Sequence, residues 1–230
     1  MPMILQDIVV AYEAHLNAMK KAIPSSSKPR REFYHDYYYV RRLIGRGMSD
    51  DKFLYECVYN RDRHLWMMSR TLALTVAKKL DADRILYGKY ADFEALYDAV
   101  RLSISKIDGI GDVAFYDIAL RIGYYSDIYP DKYVYYHSYL RESIRTLLSL
   151  QRLKSFRAPI GIFSYVLPNM PAIFIEDFIC SMHDCICPIS KKYNGLKGKF
   201  NHPLTKYGAF SLGKLPAVSK LTINNYFLKP

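Results

Sequence analysis

The segment Ile107-Asp108-Gly109-Ile110-Gly111 has residue types and spacing that carry a definite chemistry. Two glycines one residue apart permit a tight turn with backbone torsions closed to other side chains. They also let an anion come close to the main chain. If a helix opens directly after the second glycine, its first amides have no intrahelical partner and its positive dipole end faces the same way. Such a corner grips a phosphate. Ile110, between the glycines, is expected to plug the corner into the core. Asp112 would face the same turn, where a carboxylate repels a phosphate.

Other side chains could extend or compete with that grip. His137, Arg141 and Arg145 recur every fourth residue, as a cationic stripe on one helix face would. The plainer account is a solvated face with Glu142 as a surface partner. Asp117 and Arg121 have the same spacing, and a structural ion pair is the first expectation. The sharper one has Arg121 touching nucleic acid and Asp117 acting as a base; Asp117 and His137 are the only catalytic candidates. Cys180, His183, Cys185 and Cys187 would offer four soft ligands, but the cramped spacing fits no common zinc pattern. Buried helix cysteines are expected there instead. Tyr34, Tyr37, Tyr38 and Tyr39 lie among Arg30, Arg31, Arg41 and Arg42, a mixture suited to unpaired bases or to a protein surface. There is no Walker loop, HExxH or G-x-S-x-G.

The elements that must position these residues read as helices. Apolar periodicity predicts helices over 3–23, 33–44, 53–59, 64–80, 92–106, 112–122, 131–152 and 171–187. Gly123 reads as the C-cap of the sixth, followed by a loop to Pro130. Pro24-Ser25-Ser26-Ser27-Lys28-Pro29 is the strongest breaker. No internal repeat and no convincing β pattern is apparent. The expectation is an all-α fold in three parts: an N-terminal helix and linker over 1–30, a helical core over 31–187 with the glycine corner inside 93–123, and an irregular basic tail over 188–230.

The corner and its flanks resemble the helix-hairpin-helix pattern, h-x-G-h-G. The resemblance extends, more distantly, to helix-hairpin-helix DNA glycosylases, in which a later helix opens with V-D-T-H-x-x-R. Here that place reads Val134-Tyr135-Tyr136-His137-Ser138-Tyr139-Leu140-Arg141. The likeness covers about 93–148. It implies a DNA-binding groove beside the hairpin and leaves room for a monovalent cation at the hairpin turn; no other cofactor is expected. Two departures bear on activity. The glycosylase aspartate is Tyr135 here, and a neutral phenol cannot stabilise a sugar cation as a carboxylate does. The lysine of bifunctional members is Val113, which cannot form a Schiff base. Tyr116 to Gly123 is also similar to small bacterial proteins that share a GIG-x4-YD-x-A-x-R-I-G run followed by V-Y-x-H.

Composition agrees with a polyanion as partner. Lys and Arg number 33 against 22 Asp and Glu, a net charge of +11. The residues from 188 onward contain eight lysines and no acid, so the tail holds +8 and the rest +3. A basic arm on a nearly balanced body points to nucleic acid. No run approaches the ~18 apolar residues of a membrane span. The first 23 residues read as a helix and not as a secretory signal. Four cysteines do not make a disulfide scaffold, so a reducing, cytoplasmic setting is expected. The function expected is sequence-independent DNA binding, with RNA as a further possibility. The corner would hold one phosphate, and Lys106, Gly109, Ile110, Gly111, Arg121, His137, Arg141, Arg145, Lys191 and Lys192 would make up the footprint. The alternatives are a divergent glycosylase-like enzyme and an interaction module whose tyrosine-rich basic surface grips a protein partner or a second copy.

Overall fold

The computed structural model describes residues 3–22, 36–59, 68–137, 140–148, 156–182, 186 and 210–211. It is mostly helical. In chain order come β1 (Met3–Ile4), α1 (Leu5–Ala22), α2 (Asp36–Gly45), α3 (Asp50–Val58), α4 (Arg70–Ala82), a 3-10 turn (Ile85–Tyr87), α5 (Phe93–Ile104), α6 (Asp112–Ser126), β2 (Tyr133–Tyr135), α7 (Arg141–Leu148), β3 (Arg157–Pro159), α8 (Ile160–Ser164), α9 (Ala172–Ser181) and β4 (Phe210–Ser211). The chain forms two compact units, residues 22–130 and residues 1–21 with 131–230.

In the unit of residues 22–130, α6 is the central helix. Every residue from Ala114 to Tyr124 is buried, so the helix is covered all round, by α5, α2 and α3 among others. Helix starts follow short polar side chains. Asp92 accepts the amide of Ala95 at 2.9 Å to open α5, and Ser69 accepts that of Leu72 at 3.1 Å to open α4. Ser49 stands at the start of α3 but makes no side-chain cap; Asp50 and Asp51 face the helix's positive end instead.

Gly123 is not a C-cap. Helix α6 runs on to Ser126, and Asp127 takes the left-handed conformation (φ 55°) that ends it. The chain then folds back, and the amide of Ile128 donates to the carbonyl of Gly123 at 2.9 Å. A Cβ at 123 would run into the Ile128 carbonyl oxygen. Glycine is needed there for close approach, not for torsion.

The helix expected over 131–152 is two elements. Tyr133–Tyr135 is a strand, antiparallel to Arg157–Pro159, with Tyr133 opposite Pro159 and Tyr135 opposite Arg157. The sequence YVYY satisfies both a helical and an alternating pattern, and the cross-strand partner decides between them. Beyond it, among the described residues of that span, Arg141–Leu148 is helical. A second pairing, β1 parallel to β4, ties the tail at Phe210–Ser211 to the first residues of the chain. In this unit α1 buries Leu5, Ile8, Val9, Tyr12 and Leu16, and α9 is buried from Ala172 to Ile179.

The structure contains a local repeat that the sequence hides. Ser105–Gly111 joins α5 to α6, and Tyr165–Pro171 joins α8 to α9. In each turn the fifth residue is left-handed, Gly109 at φ 86° and Asn169 at φ 65°. The residue after it bonds back three positions, Ile110 to Ile107 at 3.4 Å and Met170 to Leu167 at 3.3 Å. The cap carbonyl then accepts the fourth amide at 3.1 Å in both, Phe115 to Gly111 and Ile175 to Pro171. Asparagine tolerates the left-handed region, and proline needs no amide at a helix start, so neither glycine is retained.

Candidate functional site

The α5–α6 corner lies at the surface of the unit of residues 22–130, and its two glycines do different jobs. Gly109 is exposed at a torsion that L side chains rarely adopt, and a Cβ there would touch Leu72 Cδ2 at 3.4 Å. Gly111 is extended (φ −122°), a torsion open to any residue, and a Cβ there meets nothing within 4 Å. No side chain caps α6. The start of α6 is thus exposed and has no side chain capping its first-turn amides, which are the groups an anion needs. Ile110 is half-buried and does not plug into the core. Lys106 is exposed beside the corner, and so are Asp108 and Asp112.

The remaining residues of the expected footprint are distributed differently from what their spacing suggests. Arg121 has no exposed surface; its Nη1 donates to the Cys57 carbonyl at 2.6 Å and ties α6 to α3. Asp117 is buried on the same helix. Arg121 is thus a core strut and does not reach an external phosphate. His137 is not on the helix of Arg141 and Arg145. It follows β2, is buried, and has Nε2 3.6 Å from Glu176 Oε1. Arg141 and Arg145 are exposed on α7. Lys191 and Lys192 lie outside the described residues, as do His183, Cys185 and Cys187 and the side chains of the tyrosines from 34 to 39. Cys180 is half-buried at the end of α9. Among the described residues, no group of three or more His, Cys, Asp or Glu could hold a metal.

A buried polar cluster in the unit of residues 1–21 and 131–230 went unread. The Tyr12 hydroxyl donates to Asp177 Oδ2 at 2.6 Å, and next to Asp177 along α9 is Glu176, the partner of His137. Burial pushes the His15 imidazole below its ordinary range, and the charge of Asp177 works against that shift. Burial likewise raises the Tyr136 phenol, partly offset by Arg141. The signal was present: Glu176 and Asp177 stand alone in the apolar run Ala172 to Met182, and a carboxylate there needs a donor. Tyr135, at the place of the glycosylase aspartate, is buried and accepts Arg157 Nη1 at 3.0 Å.

No protein-family model matches the chain, nor does any curated protein or solved structure.

Proposed function

We propose that this protein binds nucleic acid, DNA in the first place, by gripping a backbone phosphate at the α5–α6 corner in the manner of a helix-hairpin-helix element. The observation that carries the reading is the open volume over Gly111: an exposed, uncapped helix start with no neighbour within 4 Å of its Cβ position. Lys106 beside the corner, the exposed pair Arg141 and Arg145, and a tail of eight lysines without an acid supply the charge. Such contacts read no base edges, so binding is insensitive to sequence. No catalytic role is assigned, because Asp117 and His137 are both buried.

The test uses one glycine. In Gly111→Ser the hydroxyl caps the α6 amides from within and occupies the anion's place. Stability should hold or rise, and affinity for a labelled duplex should fall. The logarithm of the wild-type binding constant should fall with that of salt by roughly 0.9 per phosphate neutralised, with Gly111→Ser giving a slope shallower by about one. Asp112→Asn should tighten binding by removing a carboxylate from the same turn. Wild-type affinity and slope in Gly111→Ser would overturn the corner as the contact.

A further inference from the structure

Tyr136 has a hydroxyl that the fold leaves unused. The residue is 1 % exposed, and its amide donates to the Phe156 carbonyl at 3.0 Å. Its phenol oxygen is closed to solvent, and among the described residues it has no hydrogen-bond partner. Native interiors pair nearly all such groups, so a buried phenol without a partner calls for one from outside the chain. The strand shows why the neighbouring cation does not serve. Side chains alternate along β2, and Tyr133 and Tyr135 share the face that meets Arg157. That guanidinium is 4.5 Å from the Tyr133 ring centroid and donates to the Tyr135 hydroxyl at 3.0 Å. The alternation carried one residue further turns Tyr136 to the other face, that of buried Val134.

A tight turn brings a different cation to it. The amide of Leu140 donates to the His137 carbonyl at 3.0 Å, so residues 137 and 140 close one turn, and Tyr136 and Arg141 flank it. Arg141 is near enough for its charge to favour the phenolate, against the effect of burial. It is exposed and, among the described residues, has no hydrogen-bond or ion-pair partner. It is also the first residue of α7, where the positive end of the helix dipole disfavours a cation. Arg145 follows one turn on, also exposed, and Glu142 is the acid of the first turn. A cation at the wrong end of a helix and a donor with nothing to receive its proton are both relieved by an anion between them. The phenol offers one O–H and the guanidinium a fork of N–H groups, a set that suits the oxygens of a phosphate.

We infer that the start of α7 takes a phosphate group between the Tyr136 hydroxyl and the Arg141 guanidinium. Because the hydroxyl is closed to solvent, the exposed Arg141 side chain changes rotamer as the phosphate enters, with no bond of its own to break. The group is a backbone phosphate of nucleic acid or a free phosphate, and both present the same oxygens. The first source rests on the nucleic-acid reading proposed above and adds a contact in a different unit from the one holding the α5–α6 corner. The phosphate site itself does not rest on that reading.

Thermal unfolding of the full chain in sodium phosphate, against sodium chloride of the same ionic strength, tests it. A ligand held by the folded state raises the melting temperature. Tyr136→Phe removes an oxygen that has no partner, so its melting temperature in chloride should equal or exceed that of the wild type. The gain in phosphate should be smaller in Tyr136→Phe and in Arg141→Gln than in the wild type. Calorimetric titration with inorganic phosphate should show affinity at least about tenfold lower in each, as expected for loss of a hydrogen bond to a charged group. An equal gain in the wild type and Tyr136→Phe overturns the inference. So does a Tyr136→Phe protein less stable in chloride, which would mean that the hydroxyl is satisfied within the fold. A labelled duplex separates the sources: weaker duplex binding in Tyr136→Phe means a backbone phosphate, and unchanged duplex binding with the phosphate gain reduced means a free one. If Gly111→Ser weakens the duplex while Tyr136→Phe alters neither ligand, this inference alone fails. If no duplex binds and the phosphate response still depends on Tyr136, the proposed function fails and this site stands.

Discussion

The polar residues divide into those that face solvent and those built into the cores, and spacing along the chain does not separate the two. Asp117 and Arg121 read as an ion pair on a helix face, and the i, i+4 geometry is kept, but α6 is covered on every side and the guanidinium ends on a carbonyl of α3. The run Ala114 to Tyr124 contains only these two charges, so the burial was legible to an all-round count and not to a periodic one. His137 matched a motif and turned inward to Glu176. The half-buried His15 yields a prediction. Burial makes its imidazole harder to protonate in the folded chain than in the unfolded one. Above about pH 6.5 both states leave it neutral and it contributes no pH dependence; as pH falls below that, the unfolded chain takes up a proton that the folded one resists, and stability drops. The melting temperature should therefore fall between about pH 7 and about pH 5, and fall less in His15→Gln. Equal pH slopes in the two proteins would show that burial of His15 is not the cause.

Elements with an internal signal were legible, and those defined by a distant partner were not. Helix α5 shows a capping Asp92 and one apolar stripe, and it forms within two residues of its expected ends. Strand β2 has nothing in its own three residues to exclude a helix; Arg157–Pro159, more than twenty residues on, excludes it. The second turn was invisible for another reason. The backbone needs one left-handed residue and an extended one two places later, and GIG announces this where Asn169-Met170-Pro171 does not. The shared geometry predicts a shared tolerance. Gly109→Asn should cost well under 1 kcal/mol, because asparagine serves in the equivalent place, whereas Gly109→Ala and Asn169→Ala should each cost about 1–2 kcal/mol for an L side chain forced to positive φ. Urea unfolding of the three variants checks it; a Gly109→Asn loss equal to that of Gly109→Ala would mean that contact with Leu72, not torsion, sets the requirement.

At the scale of the molecule, the unit of residues 22–130 is continuous in sequence, whereas the other is assembled from the first 21 residues and everything after 130. Helix α1 is therefore a long-range component of its unit. It buries Leu5, Ile8, Val9, Tyr12 and Leu16, donates the Tyr12 hydroxyl to Asp177, and sets the Tyr12 ring edge-on to Phe178 at 5.4 Å. Five buried apolar side chains at about 2 kcal/mol each come to roughly 10 kcal/mol, comparable with the whole stability of an ordinary domain. Without α1, Asp177 also loses its phenol donor and becomes a buried carboxylate short of one partner. Deleting residues 1–21 should consequently unfold the unit that holds α9 and leave the continuous unit intact. Amide hydrogen exchange resolves the two: protection across α9 should fall to that of an unfolded chain while α5 and α6 keep theirs. Tyr12→Phe, which removes only the hydroxyl, should lower α9 protection by about 1.5–3 kcal/mol, the range for a hydrogen bond to a charged group. Retained α9 protection in the deletion would mean that residues 131–230 hold their core without the first helix.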